Sequence, residues 1–223
     1  MVVVVLLTLL PACGGVERVR LDALANARFV DNGDGTITDT TTGLMWEKKS
    51  DDGTIHDKDN KYTWTRKRSG ACEMTGSVLD CTPGTEPNGT VFTDFLRAMN
   101  NASCESKDSV LECDQSTPEQ GFAGYTDWRL PSAEELLTLL EPWDFLTNMR
   151  NFFNPKAAAI FHAGCMAGCT VTTCSCTKAN RYWSSDSGKN YPPNACTVHF
   201  LTGQRDVDFK GNSNYVRAVR GGS

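Results

Sequence analysis

The chain has 223 residues, with 22 Lys plus Arg against 27 Asp plus Glu for a net charge of −5, and ten cysteines. The acidic balance excludes nucleic acid as a partner, because gripping phosphates requires a basic footprint. Ten cysteines, several in pairs at short spacing, point to an oxidising compartment, where disulfides persist.

Val2 to Leu10 is an uncharged apolar run, followed by Pro11-Ala12-Cys13-Gly14. Spanning a bilayer takes about 20 apolar residues, so this run is too short and fits the core of a secretory leader. Leu10-Pro11-Ala12-Cys13 resembles a lipobox, in which the cysteine is acylated and becomes the mature N-terminus. Residues 1–13 are therefore read as a lipoprotein signal peptide with lipidation at Cys13, and 14–27 as a tether. That implies an exported protein whose only membrane contact is its lipid. Gly14 replaces the Asp that retains lipoproteins at an inner membrane, which favours the outer membrane, facing the periplasm or the surface. With Cys13 acylated, nine thiols remain, so at least one is free or joins two chains, and an oligomer is allowed.

The remaining stretch, 28–222, has the size of one domain. Phe29-Val30 leads through the turn signals Asp31-Asn32-Gly33-Asp34-Gly35 into Thr36-Ile37-Thr38. Thr41-Thr42-Gly43 makes a second turn before a third strand at Leu44-Met45-Trp46, and Asp51 to Lys61 reads as an acidic loop. Val91, Phe92, Phe95, Leu96 and Met99 have helical spacing within Thr90 to Asn100. Between Cys104 and Gly121 the polar sequence predicts loop. Ser132 with Glu135 forms a capping box, Leu136, Leu137, Leu139 and Leu140 make the stripe behind it, and Pro142 ends that helix. Cys196 to Leu201 alternates, turns at Thr202-Gly203 and pairs with Arg205 to Phe209; Asn212 to Asn214 turns again before Tyr215 to Arg220. Strands at both ends with two main helices between them predict an α+β domain with an antiparallel or mixed sheet.

Cys165, Cys169, Cys174 and Cys176, with His162 nearby, can be drawn as a zinc site, but the spacing lacks the C-x2-C pair of structural zinc, and disulfides are the better reading. Cys72 with Cys81 and Cys104 with Cys113 are local candidates for bridges; the pairing of the rest, Cys196 included, is open. Asp31 to Asp39 imitates a calcium loop but places Val30 and Thr41 where the first and last carboxylates belong, so a hairpin turn explains it. The acidic loop with Asp51, Asp52, Asp57 and Asp59 is read as solvated, with calcium the lesser alternative. No metal and no cofactor are assigned. No G-x-S-x-G, H-E-x-x-H or P-loop is present, and His56, His162 and His199 stand far apart. No catalytic residue is assigned, and the chain is expected not to be an enzyme.

Three separated motifs, RFVDNGDGTITDTTTGLMW, GYTDWRLPSAEELLTLL and RYWSSDS with NYVRAVRGG, resemble the Lcl C-terminal domain family, named after a collagen-like bacterial adhesin. The middle motif is also similar to the WRLPTEAEWE signature of formylglycine-generating-enzyme-like domains. Both resemblances imply the C-type-lectin-like superfold, with the N- and C-terminal strands in one sheet and the cysteine-bearing stretches Cys72–Cys81 and Cys104–Cys113 as elaborations. Formylglycine-generating enzymes use a cysteine pair near the C-terminus; here Cys196 stands alone there, which argues against that activity. Glu86-Pro87-Asn88 repeats the tripeptide of mannose-type lectins, but Trp183-Ser184-Ser185-Asp186 is distant and lacks the Asn, so the match is read as coincidence. In the superfold the C-terminal third usually binds ligand. The resemblance therefore implies a site among Asp186, Lys189, Asn190, Tyr191, Asn194, Arg205 and Asp208 for a glycan or other cell-surface polymer, with a self-assembling envelope protein as the alternative.

Overall fold

A computed structural model describes residues 28–67, 73–75, 78–101, 104–107, 110–113, 120–140, 157–189 and 191–221. The leader, the tether, Cys13, Cys72, Pro142 and Asn190 lie outside the described residues.

The chain begins with the reversal that its Asx-Gly sequence dictates. Gly33 and Gly35 take φ of +78° and +96°, while Asp31 Oδ1 and Asp34 Oδ1 accept from the N–H groups of Gly33 and Thr36 at 2.9 and 3.0 Å. Strand β1 (Phe29–Asp31) thus folds back on β2 (Thr36–Asp39), with Val30 opposite Thr38. A second turn returns β3 (Met45–Glu47) against β2.

Next come β4 (Tyr62–Thr63) and the hairpin of β5 (Glu73–Thr75) with β6 (Val78–Asp80). Helix α1 opens as a π-helical stretch, Val91–Phe95, and continues as an α-helix, Leu96–Asn100. A second hairpin pairs β7 (Cys104–Lys107) with β8 (Val110–Cys113), where the sequence predicted loop. Polar composition hid this hairpin because neither strand shows apolar alternation.

Helix α2 (Ala133–Thr138) begins at the predicted capping box, with Ser132 Oγ accepting from Glu135 N–H and Glu135 Oε2 from Ser132 N–H. It stops at Thr138, before the proline expected to end it. Past Thr138 the chain leaves the helix to pair with a later segment, Leu140 bridging Ala157 and Leu139 O accepting from Ala158 N–H. Strands β9 (Arg181–Ser187), β10 (Asn194–His199) and β11 (Gln204–Phe209) make an antiparallel sheet ordered β11-β10-β9, and β10 to β11 is the predicted hairpin. Short β12 (Ser213–Asn214) pairs with β4, and β13 (Val219–Arg220) with β3. The first sheet is therefore ordered β1-β2-β3-β13, uniting the two ends of the domain. The architecture is α+β, as predicted.

Two apolar clusters lie on opposite sides of β9. Side chains alternate across a strand, so neighbouring Tyr182 and Trp183 enter different cores. Tyr182 joins Ile37, Trp46, Leu136, Phe161 and Val198; Trp183 joins Tyr62, Trp64, Phe95, Trp128 and Val216. Trp183 Nε1 donates to Tyr62 O at 2.8 Å, satisfying a donor that burial would otherwise strand. The WRLP motif closes the second core. Asn100 clamps the Trp128 backbone through two hydrogen bonds of 2.9 and 2.7 Å, and Arg129 holds Glu135 bidentately at 2.8 and 2.7 Å.

Between the sheets sits a buried charge network. Glu47 Oε1 accepts from Lys49 Nζ at 2.9 Å and pairs with His56 Nδ1 at 2.8 Å, while Oε2 accepts from Ala218 N–H at 2.9 Å. Burial alone would raise the Glu47 carboxyl, but Lys49 and His56 hold it below its ordinary value. Arg217, also fully buried, donates to the carbonyls of Glu47 and Cys176 and to Thr177 Oγ1.

Candidate functional site

The polar side chains expected at a C-terminal ligand surface are dispersed, and several serve the fold. Asp186 Oδ2 accepts from Ala133 N–H at 2.7 Å, so its carboxylate satisfies one open donor in the first turn of α2. Asp208 accepts from Asn212 Nδ2 and Asn214 Nδ2 at 2.7 and 2.8 Å, bracing the turn into β12. Arg205 pairs with Glu134 of α2. Alternation along β11 puts Arg205 and Asp208 on opposite faces of the sheet. Asn194 holds the β9–β10 turn through its backbone, and its Oδ1 is buried without a partner among the described residues. Lys189 and Tyr191 alone of the described set are exposed at the tip, the Tyr191 ring meeting Phe209 edge-on with centroids 5.9 Å apart.

A concave site lies beside this sheet, where sequence reasoning did not place one. It is an open cleft of about 360 Å³ between the segment after β4 and the segment after β6. Thr65, Arg66 and Lys67 form one wall; Asp80, Thr82 and Gly84 to Glu86 form the other, with Asn88 joining them. Asn88 Oδ1 accepts from Thr65 Oγ1 at 3.2 Å and from Arg66 N–H at 2.9 Å, stapling the walls together. Lys67 Nζ meets Asp80 Oδ2 at 2.8 Å, and this contact holds the Asp80 carboxyl well below the usual range. Beneath the cleft, Lys210 Nζ donates to Thr85 O at 2.8 Å and to Ser187 Oγ at 2.7 Å, lying 4.2 Å over the Trp64 ring. Burial pushes this ammonium's pKa down. Ser187 and Lys210 thus join the cleft to the C-terminal sheet.

The walls approach too closely for side chains at two positions. A Cβ on Gly89 would stand 2.3 Å from Thr63 O, and one on Gly84 would stand 2.6 Å from Thr65 Oγ1. Both glycines are legible in the sequence only once the partner segment is known. Arg66 and Glu86 are exposed at the rim, offering a guanidinium and a carboxylate to a ligand.

The other candidates resolve into local structure. Asp51, Asp57 and Asp59 bring carboxylate oxygens within 4.8 Å of one another, but Lys58 pairs with Asp51 and Asp59, and Lys178 with Asp59. Asp52 turns away to Ser50 and Thr54. Asp31 takes Lys48 Nζ at 2.7 Å. Of the histidines, His56 faces Glu47, His162 Nδ1 accepts from Thr177 N–H, and His199 Nδ1 from Leu201 N–H.

The cysteines follow the disulfide reading. Cys165 bonds Cys176 and Cys169 bonds Cys174, two adjacent bridges buried against each other, and Cys81 is also disulfide-bonded. Cys104 and Cys113 stand opposite each other in the β7–β8 register. Cys196 is a free thiol, half-buried on β10. Burial, with Asp186 nearby, pushes that thiol's pKa up.

Among known families, the profile of the Lcl C-terminal domain matches residues 35–220. No curated protein matches the chain.

Proposed function

Because the chain belongs to the Lcl C-terminal domain family, we propose that it is an adhesin-like, non-catalytic binding domain whose cleft takes a polyhydroxylated ligand such as a cell-surface glycan. The carrying observation is the cleft itself. It has a preformed shape, exposed hydroxyls from Thr82 and Thr85, and charged groups of both signs at its rim. Such groups bridge vicinal hydroxyls, and a site held on stapled backbone loses little entropy on binding. No metal or cofactor enters this reading. The lipobox at Cys13 supports display on the outer membrane through a lipid anchor, and no helix among the described residues is long and apolar enough to cross a membrane.

A glycan array with the disulfide-bonded chain, run with and without calcium, tests the binding. Arg66→Ala and Glu86→Ala should each weaken saturable binding about tenfold, the scale of a lost charged hydrogen bond, without changing the melting temperature. Tyr191→Ala should leave it unchanged. Absence of saturable binding to any glycan, or loss with Tyr191→Ala alone, overturns the assignment to the cleft. Detergent partitioning of Cys13→Ala tests the anchor. A self-assembling envelope protein is the second reading, favoured by free Cys196 near exposed Val207, and a stable homo-oligomer without glycan binding would support it.

A further inference from the structure

The loop 165–176 carries a feature that the cleft does not use. Its sulfurs are packed beyond the two bonded pairs: those of Cys165, Cys169 and Cys176 all lie within 4.8 Å of one another, and Cys174 is bonded to Cys169. Across the bridges, Cys169 Sγ lies 3.7 Å from Cys176 Sγ, and Cys174 Sγ lies 3.9 Å from it. In a zinc tetrathiolate, Zn–S bonds of about 2.3 Å set neighbouring sulfurs about 3.8 Å apart along each tetrahedral edge. Two non-bonded edges already have that length. Reducing a bridge moves its two sulfurs out to non-bonded contact, toward the remaining edges. The loop backbone is anchored to the segment after β3, with Cys176 N–H donating to Lys49 O, Asp51 N–H to Cys169 O, and Gly168 N–H to Asp51 O.

The surroundings suit an anion better than a neutral pair of disulfides. Zn²⁺ with four thiolates carries two net negative charges. Beside the loop lies Arg217, a fully buried cation. Arg217 reaches the loop directly, its Nη2 donating to Cys176 O at 2.7 Å. Its Nε is buried without a partner among the described residues, as is Ser175 Oγ, which lies between Cys174 and Cys176 in the chain. A buried guanidinium and two unpartnered donors are what a compact anionic centre would satisfy.

We propose that residues Cys165, Cys169, Cys174 and Cys176 form a redox-gated zinc site, binding one Zn²⁺ when reduced and releasing it when the two disulfides form. Two equivalents of a dithiol reductant supply four electrons and four protons, converting two bridges into four thiols. Binding of Zn²⁺ sends the four thiol protons to solvent. In the reverse direction two equivalents of peroxide accept four electrons and four protons, giving two S–S bonds, four waters and free Zn²⁺.

The test uses the full chain, reduced anaerobically with a phosphine and titrated with Co²⁺ and then Zn²⁺. One equivalent of Co²⁺ should give the charge-transfer and d–d bands of a four-sulfur tetrahedral site, displaced by Zn²⁺ and absent from the oxidised chain. Cys176→Ser and Cys169→Ser should lose those bands and weaken binding by at least about tenfold. The Cys72→Ser/Cys81→Ser pair and Cys196→Ser should retain both, which separates this loop from the other thiols freed by reduction. Peroxide should return the Cys165–Cys176 and Cys169–Cys174 bridges on peptide mapping as the ion is released. A reduced wild-type chain that takes up no stoichiometric metal, folded or not, overturns the proposal. Four-sulfur bands surviving in Cys176→Ser overturn it equally.

Discussion

Glu47→Gln should unfold this domain more readily than almost any other conservative change. The carboxylate is fully buried and receives Lys49 and His56 on one oxygen and the Ala218 N–H on the other. Gln preserves the shape and one acceptor, but leaves the Lys49 ammonium buried without its counter-ion. Removing one member of a buried ion pair costs about 3–5 kcal/mol. For a domain of this size each kcal/mol lowers the melting temperature by about 2–4 °C, so a fall of about 10 °C or more is expected. Lys49→Met in the same background removes the stranded charge, and its thioether can occupy the space over the Phe95 ring, where the ammonium sits 4.5 Å from the centroid. The double variant should therefore recover at least about 1.5 kcal/mol relative to Glu47→Gln alone. Urea denaturation of wild type, both singles and the double gives the coupling energy. If the double is as unstable as the two singles added together, the pair does not act as a unit, and the reasoning fails.

Gly89→Ala places a methyl group 2.3 Å from Thr63 O and should push the cleft wall off β4, costing about 1–3 kcal/mol and abolishing glycan capture; a wild-type melting curve would refute the close approach. Acid should weaken the start of α2. The hydrogen bonds from Arg129, followed by the Ser132 contacts, hold the Glu135 carboxyl below its ordinary value of 4.5. Its folded value lies below the unfolded one, so this stabilisation is complete above 4.5 and is lost as pH falls through the folded value. Urea midpoints measured between about pH 3 and 7 should show a shallower acid limb for Glu135→Gln than for wild type.

Local chemistry determined much of this protein from the sequence. The Asx-Gly turn between β1 and β2, the Ser132–Glu135 cap and the β10–β11 hairpin depend on residues close in the chain, so their patterns are readable. The union of N- and C-terminal strands was available only through family resemblance, because β3 and β13 are far apart in the chain and nothing local records their pairing. The leucine stripe runs past the end of α2, where Leu140 bridges Ala157, a partner that nothing local records, and the β7–β8 hairpin lacks the alternation that would announce it.

The candidate sites divide in the same way. Sequence identified Asp186, Arg205 and Asp208 as polar and C-terminal, yet their roles depend on which neighbour each one meets. Tertiary structure gave them Ala133, Glu134 and the Asn212–Asn214 turn. It also assembled the cleft from two segments about 20 residues apart in the chain, joined by Asn88 and made possible by Gly84 and Gly89. Spacing alone marked Cys165 to Cys176 as one group, but the pairing, the packing of one bridge on the other and the buried Arg217 beside them required the fold. Short-range patterns encode turns, caps and bridges because the partners are neighbours. A binding surface or a buried charge network is fixed by distant segments whose meeting only packing decides.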